Sequence, residues 1–166
     1  MGAGFDGGHE PTLREAREYV LAGVEEGVKC PCCGGRVKAY KRRLNRAKVR
    51  ELQQIYVRID ETDGETYDYT HVPSLGISLV NREYPKLRWW GLLEPRDLGA
   101  SAEDGTAGWW RLTPAGVKFL RGELRVPNMV IEYRSQFLRF ADDAVAVDVR
   151  AALADTSIDP DETDVV

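Results

Sequence analysis

The stretch "GLLEPRDLGASAEDGTAGWWRLTPAG", residues 91–116, decides how this chain is read. Its middle, "PRDLGASAEDGTAG", is a glycine-rich connection. Its flanks, "LLEP" and "WWRLT", have the short apolar and aromatic character of two strands returning on each other. Gly91 is placed where a helix would need a left-handed stop. Thr113 followed by Pro114 has the pattern of an N-cap and a first helical residue, so "TPAGVKFLRGEL" is predicted as a helix. Trp109 and Trp110 project to opposite faces of any strand they share.

Upstream, "NREYPKLRWWGLL" (81–93) is predicted as a helix with Asn81 as cap and Pro85 in its first turn. Tyr84, Leu87 and Gly91 form its buried side, with Trp90 beside them. Arg82, Lys86, Arg88 and Trp89 are left facing outward. Before it, "NRAKVRELQQIYVRI" places Val49, Leu52, Ile55 and Tyr56 on one helical face. "TLREAREYVLAGVEEGV" is a further helix, with Thr12 and Glu15 at capping-box spacing and Gly27 as its end. "DETDGE" (60–65) forms an acidic loop. The tail "NMVIEYRSQFLRFADDAVAVDVRAAL" is rich in β-branched and aromatic residues and is predicted as two or three antiparallel strands.

The 166 residues correspond to one domain with appendages, and a 43% hydrophobic share supports a core without disulfides. No apolar run is long enough to span a bilayer, and the N-terminus lacks a signal-peptide pattern, so cytoplasm is the expected compartment. The net charge of −4 is unevenly spread. Residues 29–50 carry nine Lys or Arg and no acid, whereas the chain from Asp142 onward carries eight acids and one Arg. A run of cations is either a solvated face or a polyanion-binding one.

Two motifs carry a resemblance: Gly91-Leu92-Leu93 leaving a helix, and Leu112-Thr113-Pro114-Ala115-Gly116 leaving a strand. Over residues 43–122 the succession resembles the winged helix-turn-helix DNA-binding superfamily, in particular regulators of the MarR and PadR kind. Combined with the cysteines described below, it also looks like small proteins of actinobacterial phages and prophages. The resemblance implies an α+β fold: a winged-helix core, a cysteine knuckle, and a C-terminal antiparallel β-hairpin or small sheet. The expected organisation is a disordered N-terminus (1–10), a helix and knuckle (11–42), the winged-helix core (43–125), a β extension (126–152) and a disordered acidic tail (153–166).

If that holds, the chain binds double-stranded DNA as a phage or bacterial transcriptional regulator. Arg82, Lys86 and Arg88 would face the major groove, which is ~12 Å wide. Arg96 and Arg111 would serve the wing, and Lys41, Arg42, Arg43 and Arg46 would neutralise phosphates. Acidic residues at the wing tip, Glu103 and Asp104, depart from that pattern. Winged helices also dock proteins, so a host or partner protein is the alternative partner. In that case the tryptophan pairs would matter more: Trp89, Trp109 and Trp110 are either covered by the tail or form an interface, most simply a homodimer.

The three cysteines lie in "KCPCCGG" (29–35). Cys30 and Cys33 have the Cys-x₂-Cys spacing of a structural zinc turn, with a rigid proline between and two glycines behind. A redox pair would sit at a helix N-terminus, which the glycines disfavour. Further ligands must come from Cys32, His9, His71, carboxylates or a second protomer; His71 is the expected third. No HExxH, HxE, Walker or dinucleotide-binding pattern occurs, and two histidines supply no convincing catalytic partner. No enzymatic activity is expected.

Overall fold

The computed structural model describes residues 10–61, 66–78, 82–96 and 108–159. His9, the Asn81 cap, most of the acidic loop, the Glu103 and Asp104 tip, and the chain after Asp159 fall outside them. The fold is mixed α+β with antiparallel sheets.

Helix α1 (Leu13–Gly23) begins with the capping box expected at Thr12: its hydroxyl accepts from Glu15 N–H at 3.3 Å, and Glu15 accepts from Thr12 N–H at 2.9 Å. Helical geometry stops at Gly23, earlier than the sequence suggests, and Gly27 makes a left-handed turn (φ 86°) into a hairpin. That hairpin is β1 (Val28–Lys29) and β2 (Arg36–Val37), with the cysteines in its loop. Strand β3 (Tyr40–Arg43) follows, so the heart of the basic run is strand rather than helix.

Helix α2 (Arg46–Glu61) buries Val49, Leu52, Ile55 and Ile59 as its 3.6-residue stripe requires. Strand β4 (Thr70–His71) leads into a 3₁₀ turn (Val72–Leu75), and a second 3₁₀ segment spans Tyr84–Trp90. The predicted helix over 81–93 is therefore a single tight seven-residue segment. Pro85 denies it an amide near its start, and Gly91 (φ 67°) closes it. Strand β5 (Leu93–Pro95), strand β6 (Trp109–Leu112) and helix α3 (Pro114–Leu120) match expectation, and Thr113 caps α3 by accepting from Gly116 N–H. The sheet order is β4-β6-β5.

The two sequence motifs meet in space. Thr113 Oγ1 donates to the Gly91 carbonyl, Thr113 N–H donates to Leu92 O, and Gly116 lies flat on that same Leu92 carbonyl. Gly91-Leu-Leu and Thr-Pro-Ala-Gly are thus two sides of one backbone contact, which accounts for their occurring together.

The C-terminal region contains the expected antiparallel hairpin, β8 (Met129–Tyr133) with β9 (Gln136–Phe140), but not as a separate extension. Strands β7 (Val126–Pro127) and β10 (Ala146–Val147) pair with each other, while β8 and β9 join β3 in the order β3-β8-β9. Strand β8 is buried on both faces, which explains its unbroken apolar run "MVI". Val130 packs into the main core with Leu52, Leu87 and Phe119, whereas Met129 and Ile131 pack with Val24 and Ala39. Residues Val149–Ala154, expected in part as strand and in part as disordered tail, form helix α4, capped by Asp148. Alanines at 151, 152 and 154, with no β-branched residue after Val149 in the segment, favour that outcome. Beyond it, residues 155–159 lie back against α2 rather than trailing free.

The β8–β9 turn holds two non-glycine residues at positive φ, Arg134 (50°) and Ser135 (59°), as a two-residue hairpin of matching twist demands. The conformation is held from both sides: Ser135 N–H donates to Glu132 at 2.8 Å, and Arg88 donates to Ser135 O at 2.7 Å. Further along, Leu138 has no cross-strand partner, because Phe137 opposes Glu132 and Arg139 opposes Ile131. The extra residue resets the alternation and brings Phe137 and Phe140 together, edge to face at 5.2 Å, on one side of β9. Among the described residues, no helix is long and apolar enough to cross a membrane.

Candidate functional site

The residues expected to contact DNA are largely occupied by acids and carbonyls of the same chain. Arg42 pairs with Glu132 at 3.2 Å and reaches Asp159 at 3.7 Å. Arg43 lies 3.8 Å from Asp155, and its amide donates to Asp159 at 2.6 Å. Arg46 donates to Leu153 O at 2.6 Å, and Lys41 pairs with Asp143 at 3.2 Å. The acidic end and the basic run are therefore two halves of one intramolecular contact.

On the 3₁₀ segment Lys86 pairs with Glu83 at 2.8 Å, and Arg88 is engaged with the β8–β9 turn. Arg111 pairs with Glu94 at 2.7 Å and lies 4.8 Å over the Tyr69 ring. Arg82 and Arg96 remain exposed, the latter 5.9 Å over Trp109.

Trp89, expected on the outward face, is buried. The three-residue repeat aligns Tyr84, Leu87 and Trp90 on one face, and Trp89, off that face, lies beside the β8–β9 hairpin. Trp90 is covered by β7 and donates to Pro127 O at 2.6 Å. Trp110 is buried edge to face with Tyr84 at 5.6 Å, and Trp109, on the other strand face, is half-buried beside His71 at 5.6 Å. Tail strands thus cover the tryptophan pairs only in part.

Sequence reasoning missed a buried charge cluster. Lys48 and Asp159 are 1% and 2% exposed and lie 3.1 Å apart, with Glu83 3.2 Å from the same ammonium. Glu51, also buried, accepts the Tyr84 amide at 2.7 Å and so caps the start of the 3₁₀ segment. The signal for Lys48 was present: it shares the helical stripe of Leu52, Ile55 and Ile59, where a cation requires a buried partner.

A cleft of about 730 Å³ opens between the 3₁₀ segment and the β8–β9 hairpin. Trp89, Leu93, Pro95 and Phe137 supply its apolar walls, with Thr113 and Arg134 beside them. The exposed Phe140 continues the aromatic surface from Phe137.

The cysteines form a second locus. Cys30 N–H donates to Gly35 O and Gly34 N–H donates to Cys30 O, both at 2.8 Å, closing a tight knuckle. Gly34 takes a left-handed conformation (φ 70°) that the turn requires. Amide hydrogens of Cys33 and Cys32, together with the Cys33 thiol, hold the Cys30 thiol below its ordinary pKa. Cys32 is pushed upward by desolvation and by the neighbouring Cys30, Cys33 and Glu10. His71 does not join them. It hydrogen-bonds Ser74 through Nδ1 and lies against Trp109 with the rings tilted by 45°, in the β4-β6-β5 sheet. Among the described residues, no group of three or more His, Cys, Asp or Glu side chains is arranged to hold a metal ion.

No family model, curated protein or solved structure matches the chain.

Proposed function

We propose that this chain is a winged-helix protein whose working surface docks another protein through the cleft beside the 3₁₀ segment. The winged-helix reading is supported by topology. Helix α2, strand β4, two helical segments, then β5 and β6 follow in that order, and β6 lies between β4 and β5. That is the strand order in which a wing folds back across its own sheet.

One observation favours a protein partner: the element that would enter a DNA groove is only seven residues of 3₁₀ helix. Its Leu87, Trp89 and Trp90 are buried, and its Arg88 is tied beneath the β8–β9 turn. A helix reading base edges must present several unengaged side chains to the groove. This one presents few. The adjoining cleft instead offers a partly desolvated aromatic wall, the composition of interface anchors. The partner's expected chemistry is a protein segment with an aromatic or aliphatic anchor. Duplex DNA is the second reading, favoured by the same strand order and by exposed Arg82 and Arg96.

Selection of displayed peptides on the full chain separates the two. Enriched peptides should carry an apolar anchor and lose at least about tenfold in affinity in Phe137→Ala, since a central anchor contributes about 2 kcal/mol or more. Arg82→Glu and Arg96→Glu should leave them unaffected. Tight, steeply salt-dependent binding to a labelled duplex, abolished by those two arginine changes and indifferent to Phe137→Ala, would establish the DNA reading instead.

A further inference from the structure

We infer that Cys30 and Cys33 form one half of a tetrahedral zinc site completed by the same two cysteines of a second copy of this chain. This inference is independent of the docking reading, and its hollow shares only Arg134 and Gln136 with the docking cleft.

The half-site is built by the backbone. The β1–β2 hairpin fixes both ends of the six-residue loop, and the backbone hydrogen bonds Cys30 N–H to Gly35 O and Gly34 N–H to Cys30 O close it. Structural zinc takes four sulfur or nitrogen donors, and such a turn supplies two. Cys32 and Glu10 lie near, but among the described residues no group of three or more donors is arranged to hold a metal, and His71 is held in a different sheet by Ser74 and Trp109. Cys33 lies at the surface, where donors from another molecule have access.

The surroundings fit a second copy. The cysteines share a hollow of about 670 Å³ with one face of α1 and the end of β9. Its rim carries Leu13, Leu21 and Leu138, exposed by 85%, 46% and 37%. A two-fold axis through the metal would set these two apolar rims against each other, as a self-complementary interface requires. Charge agrees as well. Four thiolates on one Zn²⁺ carry two net negative charges, and the hollow contains Arg17, Arg36 and Arg134 with no acid among its lining residues. Without metal the same arginines would repel across the axis, so association should depend on zinc. Binding releases the four thiol protons to solvent.

The test is metal content and molar mass of the full chain, purified without chelator and loaded with Zn²⁺. Expected is about half an equivalent of zinc per chain in a dimer. Chelator, or Cys30→Ser or Cys33→Ser, should convert that dimer to metal-free monomer with unchanged far-UV circular dichroism. Leu21→Asp should weaken the dimer while preserving the cysteines. Co²⁺ in place of zinc should give the intense visible bands of a tetrahedral all-sulfur site at the same half stoichiometry, a readout that does not depend on the variants folding. Phe137→Ala should change none of this, which separates failure here from failure of the docking reading. One metal per monomer, lost in His9→Ala or Cys32→Ser, would overturn the shared site. So would absence of zinc, or a dimer indifferent to both cysteine changes.

Discussion

Asp159→Ala should destabilise the fold by about 3–5 kcal/mol, the cost of leaving a buried ammonium without its counter-ion. Lys48 is 1% exposed, and Asp159 is its 2%-exposed partner at 3.1 Å. The same carboxylate accepts the Arg43 amide and lies near the Arg42 guanidinium, so one substitution strips three groups at once. Glu83 remains, yet it also serves Lys86 and is less deeply buried. Urea denaturation of the variant, and of a chain ending at Ile158, should show the same loss. The double change Lys48→Met with Asp159→Leu should recover most of it, because the penalty lies in the unpaired charge rather than in the absence of a pair. A loss below about 1 kcal/mol in the single variant would show that water reaches Lys48. Acid should act in the same direction. Burial raises the Glu83 pKa, but the Lys86 hydrogen bond and the Lys48 charge outweigh it, leaving the group below the ordinary carboxylate value. Its contribution is complete above the unfolded pKa of about 4.3 and is lost as pH falls through the lower folded value.

The second large effect is Gly116→Ala. A methyl group there would run into the Leu92 carbonyl oxygen, which is backbone and cannot swing aside. Either α3 or the start of β5 must shift, and Thr113 then loses its alignment with Gly91 O. Overpacking of this kind costs about 1–3 kcal/mol, a fall in Tm of roughly 3–10 °C for a chain of this size. Gly91→Ala is the informative contrast. Nothing lies within 4 Å of the added carbon, so only the left-handed backbone (φ 67°) resists, at about 1–2 kcal/mol. Little or no loss at Gly116 would mean that its close approach to Leu92 relaxes freely.

These two positions also mark what the sequence made legible. Local signals held wherever a short-range rule governs: Thr12 with Glu15, Thr113 with Pro114, and Gly91 as a left-handed stop all sit where their chemistry predicts. The stripe on α2 was readable as well. Long-range pairing was not. The basic run resembles a solvated helix face when read alone, and nothing near Lys41–Arg43 reveals that β8 lies alongside or that Asp143, Glu132 and Asp159 neutralise it. Expecting DNA contacts at Arg42, Arg43 and Arg46 followed from counting charge along the chain when the partners are supplied across it. The burial of Trp89 was hidden in the same way, because the β8–β9 hairpin beside it is distant in sequence. At the knuckle, Cys30, Cys33 and Gly34 were legible from spacing, while the separation of His71 was not, because its neighbours are set by the pairing of β4 with β6.

The ion pair between Lys48 and Asp159 closes a loop of 111 residues, and β3 waits for β8 across a comparable span. During synthesis the lysine therefore leaves the ribosome long before its carboxylate has been translated. The nascent chain must carry an uncompensated charge on what will become its central helix until the Asp159 segment has been made. Packing of α2 is therefore complete only once residues 155–159 have emerged, and chains that stall before them should be cleared by proteases in preference to chains that have passed them.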